Sequence, residues 1–259
     1  MVVMEKEHLL GGNSNKASAG INACCPNNQT YGDYTQGFKN DTIKSAGDAA
    51  RLDLIEVLVE KSGDAVAWLK DRVGVDLSLV AQLGGHSHKR THQPNNGMVG
   101  AEIIYGLLKT VRAYEKKGKV TILVDTRVTK LLKDDEGRVI GVEYKTDGEE
   151  GTHEMKATNV VLATGGFAAD RSSASYLAKY RPELLQMSAT AGAFSTGDGI
   201  TLATALGAGT VDMDKVQVHP TGWVDPLDPD NPSKTLAAEL MRGVGGIIIN
   251  KDGKRYVSL

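Results

Sequence analysis

Glycine placement constrains this chain more than any other feature. Its 259 residues include 30 glycines, and these gather where apolar runs end, as in Gly11-Gly12, Gly165-Gly166 and Gly197-Asp198-Gly199. Lacking a Cβ, glycine lets the main chain turn sharply and lie close against another group. In α/β folds such turns follow buried strands and present backbone N–H groups to a nucleotide. The expected fold class is therefore α/β.

The run Met1–Met4 ends in Glu5, followed by Lys6 and Glu7. A buried parallel strand closing on an acid matches the second strand of a dinucleotide fold, where the acid accepts hydrogen bonds from ribose hydroxyls. A solvated acid at a strand end is the plainer reading. The GxGxxG fingerprint belongs about 20 residues before such an acid, so it is expected outside this chain. Asn159–Ala163 reads as a second buried strand, delivered into Thr164-Gly165-Gly166. Between them, Asp48–Arg72 has apolar residues at helical spacing, with Gly63 dividing two helices, and Ala101–Lys116 reads as another helix. Lys119–Val124, Val128–Leu132, Arg138–Tyr144 and Thr152–Lys156 alternate as strands. The turn sequences Asp134-Asp135-Glu136-Gly137 and Asp147-Gly148 make them an antiparallel β-meander. A helix is expected from Ile200 to Leu206, a hinge or loop from Pro220 to Pro232, a helix near Leu236–Met241 and a strand at Gly246–Asn250.

A formal charge of −2 and 5% aromatic residues argue against a nucleic-acid partner. No apolar run is long enough for a membrane span. Cys24 and Cys25 are adjacent and lack a CxxC partner, which suits a reducing intracellular setting, with mitochondrion or another organelle left open. His86, His88 and His92 have zinc-like spacing, but no cysteine or carboxylate completes a set, so no metal is expected.

Taken together and in order, several segments resemble the flavoproteins of the fumarate reductase and succinate dehydrogenase family, above all its soluble branch. They are Glu5-Lys6, Gly11-Gly12-Asn13, Ala17–Ala23, Leu162–Phe167, Gly197-Asp198-Gly199, Gln217–Thr221, Glu239–Gly243 and Gly253–Val257. The resemblance implies a Rossmann-like FAD-binding domain over 1–215, containing the meander, and the start of an α+β capping domain over 216–259. It implies that Glu5 holds the ribose, Asn13 and Ser14 lie near the pyrophosphate, and Ser18, Ala19 and Gly20 line the isoalloxazine. Val128 would reach the adenine through its backbone, while Thr164, Gly165, Gly166 and Asp198 complete the sleeve. Covalent members attach FAD through a histidine where Asn13 stands here, which implies non-covalent FAD.

The resemblance also implies reduction of fumarate to succinate by hydride from flavin N5. His219 would contact a substrate carboxylate, and Glu239 and Arg242, three apart on one helix face, would relay a proton. The arginine proton donor and the other substrate clamps are expected beyond Leu259, so the chain alone is expected to be inactive. The implied partners are a small dicarboxylate and an electron-donor module outside the chain. Ala238 stands where bacterial members place a threonine that touches substrate, and Leu259 replaces the glutamate common after the Arg-Tyr-Val run. The runners-up are L-aspartate oxidase, a urocanate-type reductase or a ketosteroid dehydrogenase, and a non-catalytic truncated product.

Overall fold

The computed structural model describes residues 1–24, 32–219, 221–237 and 245–255. The strands are β1 (Val2–Met4), β2 (Ile21–Asn22), β3 (Leu79–Ala81), β4 (Thr91–Gln93), β5 (Thr121–Leu123), β6 (Thr126–Lys133), β7 (Val139–Thr146), β8 (His153–Lys156), β9 (Gly222–Trp223) and β10 (Thr235–Leu236). The helices are α1 (Thr35–Ala46), α2 (Leu52–Trp68), α3 (Val99–Glu115), α4 (Tyr176–Tyr180) and α5 (Asp198–Thr204). The chain forms two compact units, Met1–Asn13 with Val111–Leu236 and Ser14–Thr110 with Ala237–Leu259.

In the first unit β1 pairs in parallel with β5, Val2 opposite Thr121 and Met4 opposite Leu123. The pairing continues past the strand, since Glu5 N–H donates to Leu123 O and Glu5 O accepts from Thr126 N–H. The parallel strand ending in an acid is therefore present. The meander also forms, in the order β6-β7-β8, all antiparallel. Its Asp134 carboxylate accepts backbone N–H groups from Glu136 and Arg138, which closes the β6–β7 turn. Leu131 and Val142 from the meander and Leu202 from α5 are buried together, with Met4, Val128 and Val160 packed around them.

One expected strand does not form. Asn159–Ala163 has no regular secondary structure and makes no ladder among the described residues, and Val161 is 86% exposed. A buried parallel strand requires hydrogen-bonded neighbours and cover on both faces; among the described residues this segment has no ladder partner, and only Val160 packs against the core. Beyond it, Gly246–Asn250 makes a single bridge, Ile249 to Arg255. Leu236 lies in β10 rather than at a helix start, and most of that expected helix falls outside the described residues.

The second unit holds a small antiparallel sheet in the order β2-β4-β3 and two adjoining apolar clusters. One gathers Ala23, Val66, Leu69, Val75, Leu77 and Val99; the other gathers Cys24, Phe38, Ile55 and Val59. Gly63 does not divide two helices. It is buried inside the continuous α2, where tertiary packing outweighs a propensity cost of about 1 kcal/mol relative to alanine. Of the apolar residues at helical spacing there, Ile55, Val59, Val66 and Leu69 are buried, while Leu52 and Leu58 are exposed. Burial pushes the Cys24 thiol pKa up, and the nearby Asp33 charge adds to the effect. In a Cys25→Ser background, Cys24 is therefore expected to resist iodoacetamide at pH 8 until denaturant is added, as peptide mass mapping will show. Rapid labelling of the native protein would contradict the burial.

Candidate functional site

Three glycine turns, far apart in sequence, meet within the first unit. The first is Gly11–Asn13. Asn13 Oδ1 accepts the Gly192 N–H at 2.9 Å, and its Nδ2 donates to the buried Ser195 Oγ at 2.7 Å. Ser195 leads directly into the second turn, Thr196–Gly199. The Gly197 N–H then donates to Gly166 O at 3.0 Å, joining the third turn, Thr164–Gly166. Gly199 sits so close to this turn that an added Cβ would lie 1.9 Å from Thr164 Oγ1. Only glycine permits that approach without moving one of the two segments.

Gly165 (φ +70°) and Gly166 are exposed, with open space where a side chain would project. Their backbone is thus free to lie against a ligand. Beside them Leu162, Thr164, Gly199 and Ala203 line an open hollow of about 240 Å³. Ligand pockets run to about 300–1,000 Å³, so this hollow suits part of a dinucleotide.

Asp198 is the charge centre of the second turn. It accepts Thr196 Oγ1–H, Lys6 Nζ at 2.9 Å and Arg127 Nη1 at 2.7 Å. Burial works against its ionised form, but the Thr196 and Lys6 hydrogen bonds and the two cationic charges outweigh it. The carboxyl pKa is therefore held below its ordinary value. Glu5 is half-buried, and its Oε1 accepts the Glu7 N–H at 3.0 Å. One contact leaves a carboxylate with acceptor positions to spare. Val128 pairs with Tyr144 across the meander, next to a register irregularity before Lys130, and its side chain joins the apolar core.

The second unit carries Ser14, Ser18, Ala19 and Gly20. Ser14 lies in a 3-10 turn, Gly12–Lys16. The turn is pinned where the Gly100 N–H donates to Ala17 O at 2.8 Å and the Ala17 N–H to Ser14 O at 3.3 Å. Gly20 (φ +139°) leaves no room for a side chain, since a Cβ would meet Thr91 Cγ2 at 2.4 Å and His92 O at 2.9 Å. Gln93 donates its amide to Ala19 O. Ser18 Oγ is buried with no hydrogen-bond partner among the described residues. A buried hydroxyl without a partner costs about 1–3 kcal/mol, so it marks a place where a polar ligand atom fits. A flavin ring edge offers such atoms, and the residues present fit FAD.

His219 is half-buried, and its Nδ1 lies 2.8 Å from Thr221 O in its own loop. Glu239 and Arg242 lie outside the described residues. The three histidines of the 86–92 stretch diverge. His92 is buried in the central strand β4, and burial lowers its pKa, keeping it neutral. His88 meets Tyr34 edge-on, and His86 lies by Phe38.

Sequence reasoning missed Lys6 and Arg127 as partners of Asp198. Lys6 and Asp198 are 192 residues apart, and only the adjacency of Lys6 to Glu5 hinted at a role.

The glycine turns and the sheet they follow define a flavin-dinucleotide domain, and the chain belongs to the FAD binding domain family, matching it over residues 1–258. Among its relatives, it is 39% identical to a fumarate reductase of Schizosaccharomyces pombe, over 99% of this chain and 51% of that protein. It is 40% identical to fumarate reductase 1 of Saccharomyces cerevisiae, over 100% of this chain and 55% of that protein. The solved open conformation of a flavocytochrome c3 fumarate reductase superposes with a TM-score of 0.81 at 33% identity, over 99% of this chain and 43% of that one. The chain thus spans about half the length of the relatives it matches. No helix among the described residues is long and apolar enough to cross a membrane.

Proposed function

We propose that the protein is an FAD-dependent fumarate reductase. The observation that carries this reading is the joining of Gly11–Asn13, Thr196–Gly199 and Thr164–Gly166 through Asn13 and Gly166, in a chain whose relatives include fumarate reductases. In this reading Glu5 holds the ribose and Asn13 and Ser14 lie at the pyrophosphate. Ser18, Ala19 and Gly20 line the flavin, and the Val128 backbone meets the adenine. Thr164–Gly166 and Asp198 complete the enclosure. FAD, when bound, supplies hydride chemistry. The Asn13 amide is not nucleophilic and already bonds Gly192 and Ser195, which supports non-covalent attachment.

The protein orients the dicarboxylate and delivers a proton. His219 is the carboxylate contact. Its Nδ1 is held against Thr221 of the same loop, which leaves Nε2 as the ring nitrogen to face the substrate. Glu239 and Arg242 form the proton relay, and electrons arrive from a donor module outside this chain.

In the full-length protein that carries this chain, photoreduced anaerobically, the flavin is expected to be reoxidised by fumarate, with succinate formed, and acid precipitation is expected to release all the flavin into the supernatant. Reoxidation by L-aspartate's oxidation product, iminosuccinate, or by urocanate but not by fumarate would move the assignment to another enzyme of this fold.

A further inference from the structure

Lys6 stands outside the residues that would touch FAD, and its surroundings are specific. Its side chain is only 16% exposed, and its ammonium donates to Thr196 Oγ1 at 2.9 Å and Asp198 Oδ2 at 2.9 Å. Arg127, 54% exposed, donates to the same Oδ2 from solvent, and Thr196 donates to Oδ1. Oδ2 therefore has both acceptor positions filled by the protein itself.

What lies on either side of this contact gives it direction. On one side, Lys6 directly follows Glu5, whose N–H and C=O are bonded to Leu123 and Thr126, so its backbone is fixed to the parallel sheet. On the other side, the Thr196–Gly199 turn touches Thr164 through Gly199 and Gly166 through the Gly197 N–H. A shift of that turn moves the exposed glycine backbone of Gly165 and Gly166.

We propose that Lys6 is a positioning residue for the cofactor, acting through Asp198 to set the Thr196–Gly199 turn against Thr164 and Gly166. This rests on the flavoprotein reading. Charge-assisted bonds of this kind are also directional enough to hold a turn, whereas Arg127 at the surface is a weaker tether.

The test is a double-mutant cycle on the protein, with FAD affinity measured by flavin fluorescence for wild type, Lys6→Met, Asp198→Asn and the double variant. Lys6→Met is expected to weaken FAD binding about 10- to 100-fold, the range set by losing hydrogen bonds to a charged group. If Lys6 acts through Asp198, the double variant binds FAD no more weakly than the worse single one. Multiplying effects would mean that Lys6 touches the cofactor itself and would overturn the proposal, as would unchanged affinity in Lys6→Met. The visible circular dichroism of bound flavin, which reports seating rather than fold stability, is expected to change in Lys6→Met and return in Lys6→Arg. A Lys6→Met spectrum like wild type would overturn it too. Should Lys6→Met not fold, Lys6→Gln takes its place in the cycle. A wild-type protein that binds no FAD would overturn the flavoprotein reading and this inference together.

Discussion

Exchanging Arg90 for methionine is expected to lower the unfolding free energy by about 3–5 kcal/mol, the cost of leaving buried charges without their partner. The Arg90 side chain is 0% exposed. Its Nη2 and Nε hold the two oxygens of Asp33 at 2.7 and 3.1 Å, and its Nη1 holds Asp41 Oδ2 at 2.7 Å. The guanidinium also lies 4.7 Å above the Phe38 ring, on the same helix as Asp41. Methionine fills most of that volume but leaves Asp33 and Asp41, 7% and 15% exposed, with no countercharge. Lysine keeps the charge and loses the fork, so Arg90→Lys is expected to fall between. Replacing Arg90, Asp33 and Asp41 together by apolar residues removes the stranded charges and is expected to cost much less. Urea titration of the four proteins decides the matter. A loss under about 1 kcal/mol in Arg90→Met would show the triad to be solvated.

The same triad sets an acid dependence. Burial opposes ionisation of Asp41, but the Ser87 N–H and hydroxyl and the Arg90 guanidinium outweigh it and hold the pKa at about 2. A folded value below the unfolded one stabilises at pH above the unfolded value, near 3.9, and that stabilisation is lost as pH falls through about 2. Because solvent reaches the rim of this carboxylate, the contribution is about 1 kcal/mol rather than the full linkage value. It is expected to shrink in Arg90→Met, where only the Ser87 bonds remain to lower the pKa, so that stability falls less steeply between pH 4 and 2 than in the wild type.

The local elements were legible where short-range chemistry decides them. The meander could be read because β6, β7 and β8 alternate and Asp134–Gly137 and Asp147-Gly148 are strong turn sequences. β1 could be read because an apolar run closes on Glu5. The sheet β2-β4-β3 was hidden, since two- and three-residue strands are too short to show a period. Asn159–Ala163 misled because apolar composition reports a wish for burial and says nothing about a ladder partner. Gly63 misled because its helix-breaking tendency is weaker than the packing it allows. The glycine turns were legible as a set, and the structure joins three of them. What holds them was not, because Lys6 with Asp198 and Arg90 with Asp33 are pairs 192 and 57 residues apart. No spacing rule reaches that far.

Alanine at Gly100 is expected to reduce stability by about 2–3 kcal/mol, near the upper end for overpacking, and to leave less than about a tenth of the flavin bound. Gly100 lies in the first turn of α3. A Cβ there would stand 2.0 Å from Ser14 O, 2.8 Å from Ala17 N and 2.9 Å from Ala17 Cβ. The first two neighbours are backbone atoms and cannot swing aside. Either the helix start retreats, losing the Gly100 N–H bond to Ala17 O, or the 14–17 segment does. Both displace Ser18, whose buried hydroxyl follows directly on Ala17. Gly106, two turns along the same helix, is the control. An alanine there meets side-chain methyls of Val75 and Val73 at 3.0 and 3.1 Å, with backbone no nearer than Val73 O at an ordinary 3.8 Å, and gains about 1 kcal/mol of helix propensity. Its net effect is expected to stay within about 1 kcal/mol, with flavin retained. Urea midpoints and bound-flavin absorbance on both variants separate the two outcomes. If Gly100→Ala keeps its flavin as Gly106→Ala does, the 14–20 segment does not seat the cofactor.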